Sequence, residues 1–367
     1  VARCRLCGRK ARTISARIGF CRTCLVERFD EIEDQVRAVH ELTRAMFDLP
    51  PAPPRSPGGL VCDRCLNACR LAPGQTGYCG LRQNQDGRLV GGDEDSARVS
   101  WYFDPLPTNC VADWVCAGGS GAGYPAWART PGPERGFDNL AVFYRACSFN
   151  CLFCQNWHFK EETWLEPPVS AADLAGAVGP RTSCICYFGG DPTPQVVHSL
   201  AAARLARAER PGRILRICWE TNGSVRPGYL NEMLGLALES GGCLKFDLKA
   251  HSLPLHRALC GVGNQRTLSN FAAAAAWFRR RPEPPLLVAS TLLVPGYVET
   301  EEVGRLAGFI AGLDPDIPYA LLAFYPSFYL DDLPTTSRGQ AEAALAAARA
   351  RGLRRVRLGN VHLLGAI

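Results

Sequence analysis

No apolar run in this 367-residue chain approaches the roughly 20 residues that a membrane-spanning helix needs. The opening "VARCRLCGRKARTIS" also lacks the apolar core of an export signal. Both absences point to a cytoplasmic protein with no membrane partner. Blocks of like charge are missing too: 41 Lys and Arg against 35 Asp and Glu leave +6, spread along the chain. Runs such as "RRRP" and "RGLRRVR" read as solvated helix and loop faces rather than as a track for nucleic acid. With 47% hydrophobic and 21% charged residues the composition is that of an ordinary globular protein, long enough for one large domain and small satellites.

What the chain has in excess is cysteine. Eighteen are present, and thirteen of them lie in the first 154 residues. In a reducing compartment such clusters are read as metal ligands before disulfides. Cys4-x2-Cys7 and Cys21-x2-Cys24 have the spacing of a zinc ribbon over residues 1–28. An amphipathic helix is expected next, with Ile32, Val36, Val39, Leu42 and Met46 at near-helical spacing. "PPAPPRSPGG" then makes a stiff linker that ends the 29–59 segment.

Residues 60–136 form a Cys-rich and then Trp/Gly-rich insertion. Cys62, Cys65, Cys69 and Cys79 supply four thiols within eighteen residues, enough for a closed structural or electron-relay site. Zinc and an auxiliary [4Fe–4S] cluster both suit it, and the cluster is favoured slightly. Four packed thiols without metal are the bland alternative. Cys110 and Cys116 follow in a stretch short of regular pattern, and are read as packed rather than ligating. Cys184, Cys186, Cys218, Cys243 and Cys260 are scattered through strand-like and helical segments and are read as small core hydrophobes.

From about residue 137 to 367 the texture is α/β. "LAVFYRA", "CICYFGG", "ILRICWE", "CLKFDLK", "LLVASTLLV", "YALLAFYP" and "RRVRLGN" are short strand-like runs, with helical segments between most of them. That repetition predicts a parallel sheet with outer helices, as a full or partial (β/α) barrel, with chemistry at the C-terminal strand ends. An open doubly wound sheet is the alternative.

Just after the first of these runs stands "CSFNCLFC". Cys147, Cys151 and Cys154 leave a metal site one ligand short. A structural metal is closed, whereas a catalytic one keeps an open position. Three thiolates suit a [4Fe–4S] cluster with one iron free of protein. A zinc site borrowing a distant fourth ligand is the alternative.

"CSFNCLFC" resembles the C-x3-C-x-φ-C signature of the radical S-adenosylmethionine (SAM) superfamily, with Phe153 in the aromatic place. "YFGGDP" resembles that family's GGE-type motif, "WETNG" its ribose-contacting strand end, and "FDLKA" the Asp-Leu-Lys element of pyruvate formate-lyase-activating enzymes. "CDRCLNACRLAPGQTGYC" and the closing "LGNV" are similar to the activating-enzyme-like branch of AmmeMemoRadiSam systems. The resemblance implies a [4Fe–4S] cluster on Cys147, Cys151 and Cys154 whose open iron takes the amino and carboxylate groups of SAM. Reductive cleavage would yield a 5′-deoxyadenosyl radical that abstracts hydrogen from a protein or peptide. It also implies SAM contacts from Phe153, Gly189, Gly190, Asp191, Asn222 and Lys249, and an electron donor such as flavodoxin or ferredoxin. Asp191 departs from the more usual Glu, which shortens its reach to the SAM ammonium.

Two other readings compete. One is a radical SAM methyltransferase or small-molecule biosynthetic enzyme; the lack of an obvious cobalamin domain weighs against the cobalamin class. The other is a zinc-ribbon nucleic-acid-binding protein on a barrel scaffold. The ribbon has Arg3, Arg5, Arg9, Lys10, Arg12 and Arg17 for phosphates but almost no aromatics for stacking bases, which disfavours nucleic acid.

Overall fold

All seven apolar runs between residues 138 and 359 form strands, and one further strand precedes them. The computed structural model describes residues 1–165 and 167–365. The strands are β1 (Val99–Pro105), β2 (Asp138–Tyr144), β3 (Thr182–Gly189), β4 (Arg216–Thr221), β5 (Leu244–Asp247), β6 (Leu287–Leu293), β7 (Tyr319–Ala323) and β8 (Val356–Gly359). They lie in one sheet in sequential order from β1 to β8. β2 through β8 run parallel, joined by crossovers that carry the outer helices. β6 is buried at every position, as expected of a parallel strand covered on both faces.

The sheet curves. Phe188 of β3, Glu220 of β4, Asp247 of β5, Leu292 of β6 and Leu322 of β7 all line one cavity, which a flat sheet would hold apart. The end strands β1 and β8 do not pair, so the result is a partial barrel. On its outer face the tips of large side chains find partners under the helices. The Tyr144 hydroxyl lies 2.8 Å from His198 Nδ1, and Trp219 Nε1 donates to Ser199 Oγ at 3.1 Å.

β1 is not among the strand-like runs of the sequence, because it opens the stretch that is short of regular pattern. It pairs antiparallel with β2 from Val99–Tyr144 to Pro105–Asp138. Tyr102 and Phe103 stay exposed on this edge, which hides the alternation that marks a buried strand.

At the N-terminus a small hairpin (Ala2–Arg3 with Lys10–Ala11) leads to α1 (Arg22–Glu27) and α2 (Glu33–Ala45). The ribbon is seated on the barrel by Tyr297, whose Oη accepts from Ser15 N at 2.9 Å and donates to Phe20 O at 3.0 Å, and by Ala16 N on Asp332 and the ion pairs of Arg17 with Asp331 and Arg22 with Glu301. The neighbouring Gly296 has φ +80°, and a Cβ there would fall 2.0 Å from Thr13 O.

α2 is amphipathic as expected, with Ile32 and Val36 buried and Val39 partly so, but the buried face does not continue through Leu42 and Met46. Leu42 and Met46 are 56% and 60% exposed, while His40, Thr43 and Arg44 are buried. The polar face is inward because it supports the cysteine loop described below. The proline segment does not hang free: Arg70 N donates to Pro54 O at 2.8 Å, laying it along the Leu60–Val61/Arg70–Leu71 hairpin. Among the described residues no helix is long and apolar enough to cross a membrane.

Candidate metal and cofactor site

The loop after β2 is held by its polar residues rather than by its cysteines. Asn150 is the hub. Its Nδ2 donates to His40 Nδ1 (3.0 Å) and Thr43 Oγ1 (2.9 Å), and its Oδ1 accepts from Lys160 Nζ (2.7 Å). Burial pulls the His40 pKa down to about 4, which keeps the ring neutral; Nε2 then donates to Ala258 O at 3.0 Å. Leu152 N and Asn150 N bond to the carbonyls of Leu259 and Cys260 at the end of the Leu253–Cys260 helix. Ser148 carries the other side: its carbonyl accepts from Asn67 Nδ2 at 2.8 Å, and its hydroxyl contacts Ser224 Oγ at 2.7 Å.

So braced, Cys147, Cys151 and Cys154 line one cavity of about 180 Å³. No other cysteine lines it, and His158, four residues after Cys154, instead stacks on Trp157 with ring centroids 3.9 Å apart. The donor set is therefore three thiols facing an open space, which fits a cluster with one iron left for an outside ligand. Their environments differ. Burial pushes the Cys147 thiol well above its usual range and that of Cys154 up to about 11. A hydrogen bond with Cys260 draws Cys151 down despite its burial, aided by the Lys249 charge.

Phe153, Gly189, Gly190, Asp191, Asn222 and Lys249 line the same cavity, so the structure brings the sequence-predicted residues together. It also shows what several of them already do. Gly189 has φ +122°, and Cβ atoms at Gly189 and Gly190 would fall 2.4 Å from Tyr144 N and 2.5 Å from Ala146 O. These glycines admit the backbone leaving β2, a role inside the protein that motif reading assigned to close approach of ligand. The Asp191 carboxylate accepts from Thr193 N (2.8 Å), Thr221 Oγ1 (2.9 Å) and Asn222 N (2.8 Å), tying the ends of β3 and β4 together. The Thr193 hydroxyl also bonds to it, so the carboxylate is well supplied with donors from the protein itself. Asn222 Nδ2 donates to Ser148 Oγ at 2.9 Å and reaches Cys147 Sγ at 3.7 Å, while its Oδ1 accepts from Ser224 N at 3.0 Å. Its amide braces the cysteine loop. Lys249 is paired with the Asp247 carboxylate and lies 5.6 Å from the Phe153 ring centroid. Burial disfavours its charge, but Asp247 and Cys151 more than offset this and hold its pKa above the usual range.

The ribbon cysteines form a site of another shape. The sulfurs of Cys4, Cys7, Cys21 and Cys24 all lie within 4.8 Å of one another, and among the described residues this is the group so closed. Cys4–Cys24 and Cys7–Cys21 are each 3.7 Å apart. Four thiolates about 2.3 Å from a single zinc would be about 3.8 Å apart at the edges of a tetrahedron. A [4Fe–4S] cluster binds each thiolate to a different iron and spreads all four apart, so closure of the whole set within 4.8 Å fits one mononuclear ion. Replacing Cys4 and Cys24 with Ser in the full chain should remove about one zinc per protein while leaving sulfide content unchanged; a fall in sulfide would mean that the ribbon holds a cluster.

Cys62, Cys65, Cys69 and Cys79 are brought into one neighbourhood by the short hairpin, but more openly than the ribbon set. Tyr78 N donates to Cys69 Sγ at 3.4 Å and Arg82 N to Cys79 Sγ at 3.5 Å, while burial pushes the Cys69 thiol up to about 11 and that of Cys79 above its usual range. Asn67 and Leu66, between these cysteines, bond to Ser148 and Ser224, so this block packs beside the cysteine triplet.

Residues 141–310 match the Radical SAM superfamily. Over 142 residues the chain is 29% identical to the isethionate sulfite-lyase activating enzyme of Nitratidesulfovibrio vulgaris, covering 37% of this chain and 40% of that protein. The chain thus spans well under half the length of this curated relative. Among solved structures, a domain of pyruvate-formate lyase-activating enzyme from Bacteroides vulgatus is similar over 48% of this chain and 98% of its own, at 20% identity and TM-score 0.38. Streptococcus suis SuiB bound to precursor peptide SuiA is similar over 59% of this chain and 47% of its own, at 14% identity and TM-score 0.45.

Proposed function

The chain carries a radical SAM domain and is an enzyme, and from that premise we propose that it abstracts hydrogen from a protein or peptide, in the manner of an activating enzyme. The observation that carries the reading is the single cavity in which three thiols meet the ends of β3, β4 and β5. When bound at Cys147, Cys151 and Cys154, a [4Fe–4S] cluster supplies the electron for SAM cleavage. The protein's own part is to position and shield. Asn150 and Ser148 fix the thiol-bearing loop, and Asp191 locks the strand ends against each other. The Asp191 carboxylate is assigned to the SAM ammonium, and the Lys249 cation to an anionic group of SAM or substrate. Phe153 offers an apolar ring at the same wall. The electron is assigned to a flavodoxin or ferredoxin.

The protein-substrate part is supported by the similarity to an activating enzyme. It is tested by supplying deuterated cell extract, separated into macromolecular and small-molecule fractions, with SAM and reductant. Deuterium should enter 5′-deoxyadenosine from the macromolecular fraction. Transfer from the small-molecule fraction alone would favour the biosynthetic reading instead.

The role given to Asp191 has its own check. Asp191→Ala should weaken SAM binding about 10- to 100-fold, the worth of one charge-assisted hydrogen bond, with the iron count unchanged. Unaltered SAM affinity would leave Asp191 as a strut between strands and nothing more.

A further inference from the structure

Six cysteines that sequence reading treated as packing residues surround a second cavity. Cys110, Cys116, Cys184, Cys186, Cys218 and Cys243 line a space of about 440 Å³ inside the barrel, and Asn156, Phe188 and Glu220 form a wall common to it and the cysteine-triplet cavity. The two-residue period of the strands explains the layering. Cys184 and Cys186 precede Phe188 on one face of β3, Cys218 precedes Glu220 on β4, and Lys245 precedes Asp247 on β5, with Cys243 one residue ahead of that strand. Each thiol therefore sits one or two layers beneath a residue at the barrel mouth. Cys110 and Cys116 come from the insertion after β1.

A thiol that merely fills a core needs neither an open volume nor a cation. Here both are present. Lys245 is 1% exposed, and its Nζ donates to Cys110 Sγ at 3.0 Å and to Cys186 Sγ at 2.9 Å. The nearest carboxylate oxygen paired with it is Glu220 Oε2 at 3.3 Å. Nearby, Cys218 and Cys243 bring their sulfurs to 4.0 Å, close to the roughly 3.8 Å edge of two thiolates sharing one tetrahedral ion. The pair joined by Lys245, Cys110 and Cys186, and the facing pair Cys218 and Cys243 make four thiols; of the other two, Cys184 donates to Asn139 Oδ1 at 3.3 Å and Cys116 caps the short helix that follows it, accepting from Gly119 N at 3.3 Å.

We propose that Cys110, Cys186, Cys218 and Cys243 hold an iron–sulfur cluster inside the barrel, beneath the SAM cavity, with Lys245 donating to its sulfurs. The four sulfurs do not close to within 4.8 Å as the ribbon's do, so a single ion is not the natural occupant. Soft thiolates around a larger volume suit a polynuclear iron site, and a buried ammonium offsets the negative charge that four thiolates bring.

The full-length protein, reconstituted anaerobically with iron and sulfide, tests this in two ways. Cys218→Ala with Cys243→Ala should lower iron by about two to four per chain, with a matching fall in sulfide. Residue-resolved alkylation of the unaltered protein should find these four cysteines protected when loaded and labelled after iron is stripped. Unchanged iron and sulfide in the folded variant would overturn the proposal. So would zinc in place of iron, a Cys218–Cys243 disulfide, or equal labelling before and after stripping. If the variant does not fold, the alkylation result decides alone. Cys147, Cys151 and Cys154 are read in the same digest, so a failure at the barrel mouth and a failure here are told apart.

Discussion

Replacing Cys147, Cys151 and Cys154 together with Ala is expected to bring 5′-deoxyadenosine formation below detection and to remove about four irons per chain. The loss should be of chemistry and not of fold. The loop is fixed by Asn150, Ser148 and the carbonyls of Leu259 and Cys260, none of which is changed. The three thiols face a cavity, so truncating them leaves little packing to lose. The ribbon sulfurs are remote in the chain and close among themselves, so a metal ion held there should stay at one per protein. Iron that survives then belongs to the Cys62–Cys79 block or to the barrel interior. SAM cleavage that persisted in the triple variant would remove the basis of the proposed activity, whatever the iron count. A variant that lost the ribbon's ion along with iron would instead report general unfolding, which circular dichroism would show directly.

What could be read from the sequence was whatever has a short period or a fixed spacing. The seven parallel strands announce themselves as apolar runs between helices, because a strand covered on both faces must be apolar on both. The cysteine triplet is equally plain, since cluster ligands from one loop need local spacing. Residues brought together only by the fold were harder to see. Asn150 looks like any loop amide until α2, more than a hundred residues earlier, turns His40 and Thr43 onto it. Ile32 and Val36 are buried as their spacing implies, but the second half of α2 turns inward for the same reason: His40 and Thr43 meet Asn150, Arg44 bonds to the carbonyls of Pro50 and Tyr78, and Leu42 and Met46 stay outside. The cysteines on β3, on β4 and just ahead of β5 are spread over some sixty residues and meet only because the sheet curves. One signal was available. Cys184 and Cys186 alternate on a strand that precedes a motif at the barrel mouth, and Cys218 and Cys243 hold matching places on β4 and just ahead of β5.

Glu134→Ala is expected to destabilise the protein by about 3–5 kcal/mol, the usual cost of stranding one partner of a buried ion pair. Arg216 leaves β4 toward the barrel interior and meets Glu134 from the insertion, with Nη1–Oε1 at 2.8 Å and Nη2–Oε2 at 2.7 Å. Their side chains are 3% and 0% exposed, so water cannot replace the lost carboxylate. Glu134 also accepts from Arg129 N at 2.7 Å, which anchors the insertion that carries Cys110 and Cys116. Removing it should loosen that insertion first, and removing both charges as Glu134→Leu with Arg216→Met should recover most of the loss. The pH dependence has a definite sign. Burial raises the Glu134 pKa, but the hydrogen bonds and charge of Arg216 outweigh it and hold the carboxyl below its ordinary value. A carboxyl depressed in the folded state stabilises fully above its unfolded pKa, about 4.3, and loses that contribution as pH falls through the folded one. Urea midpoints of the unaltered protein and of Glu134→Ala should therefore differ most near neutrality and converge in acid. A difference below about 1 kcal/mol at neutral pH would place this pair among ion pairs that contribute little, and the insertion's hold on the barrel would have to come from its apolar contacts instead.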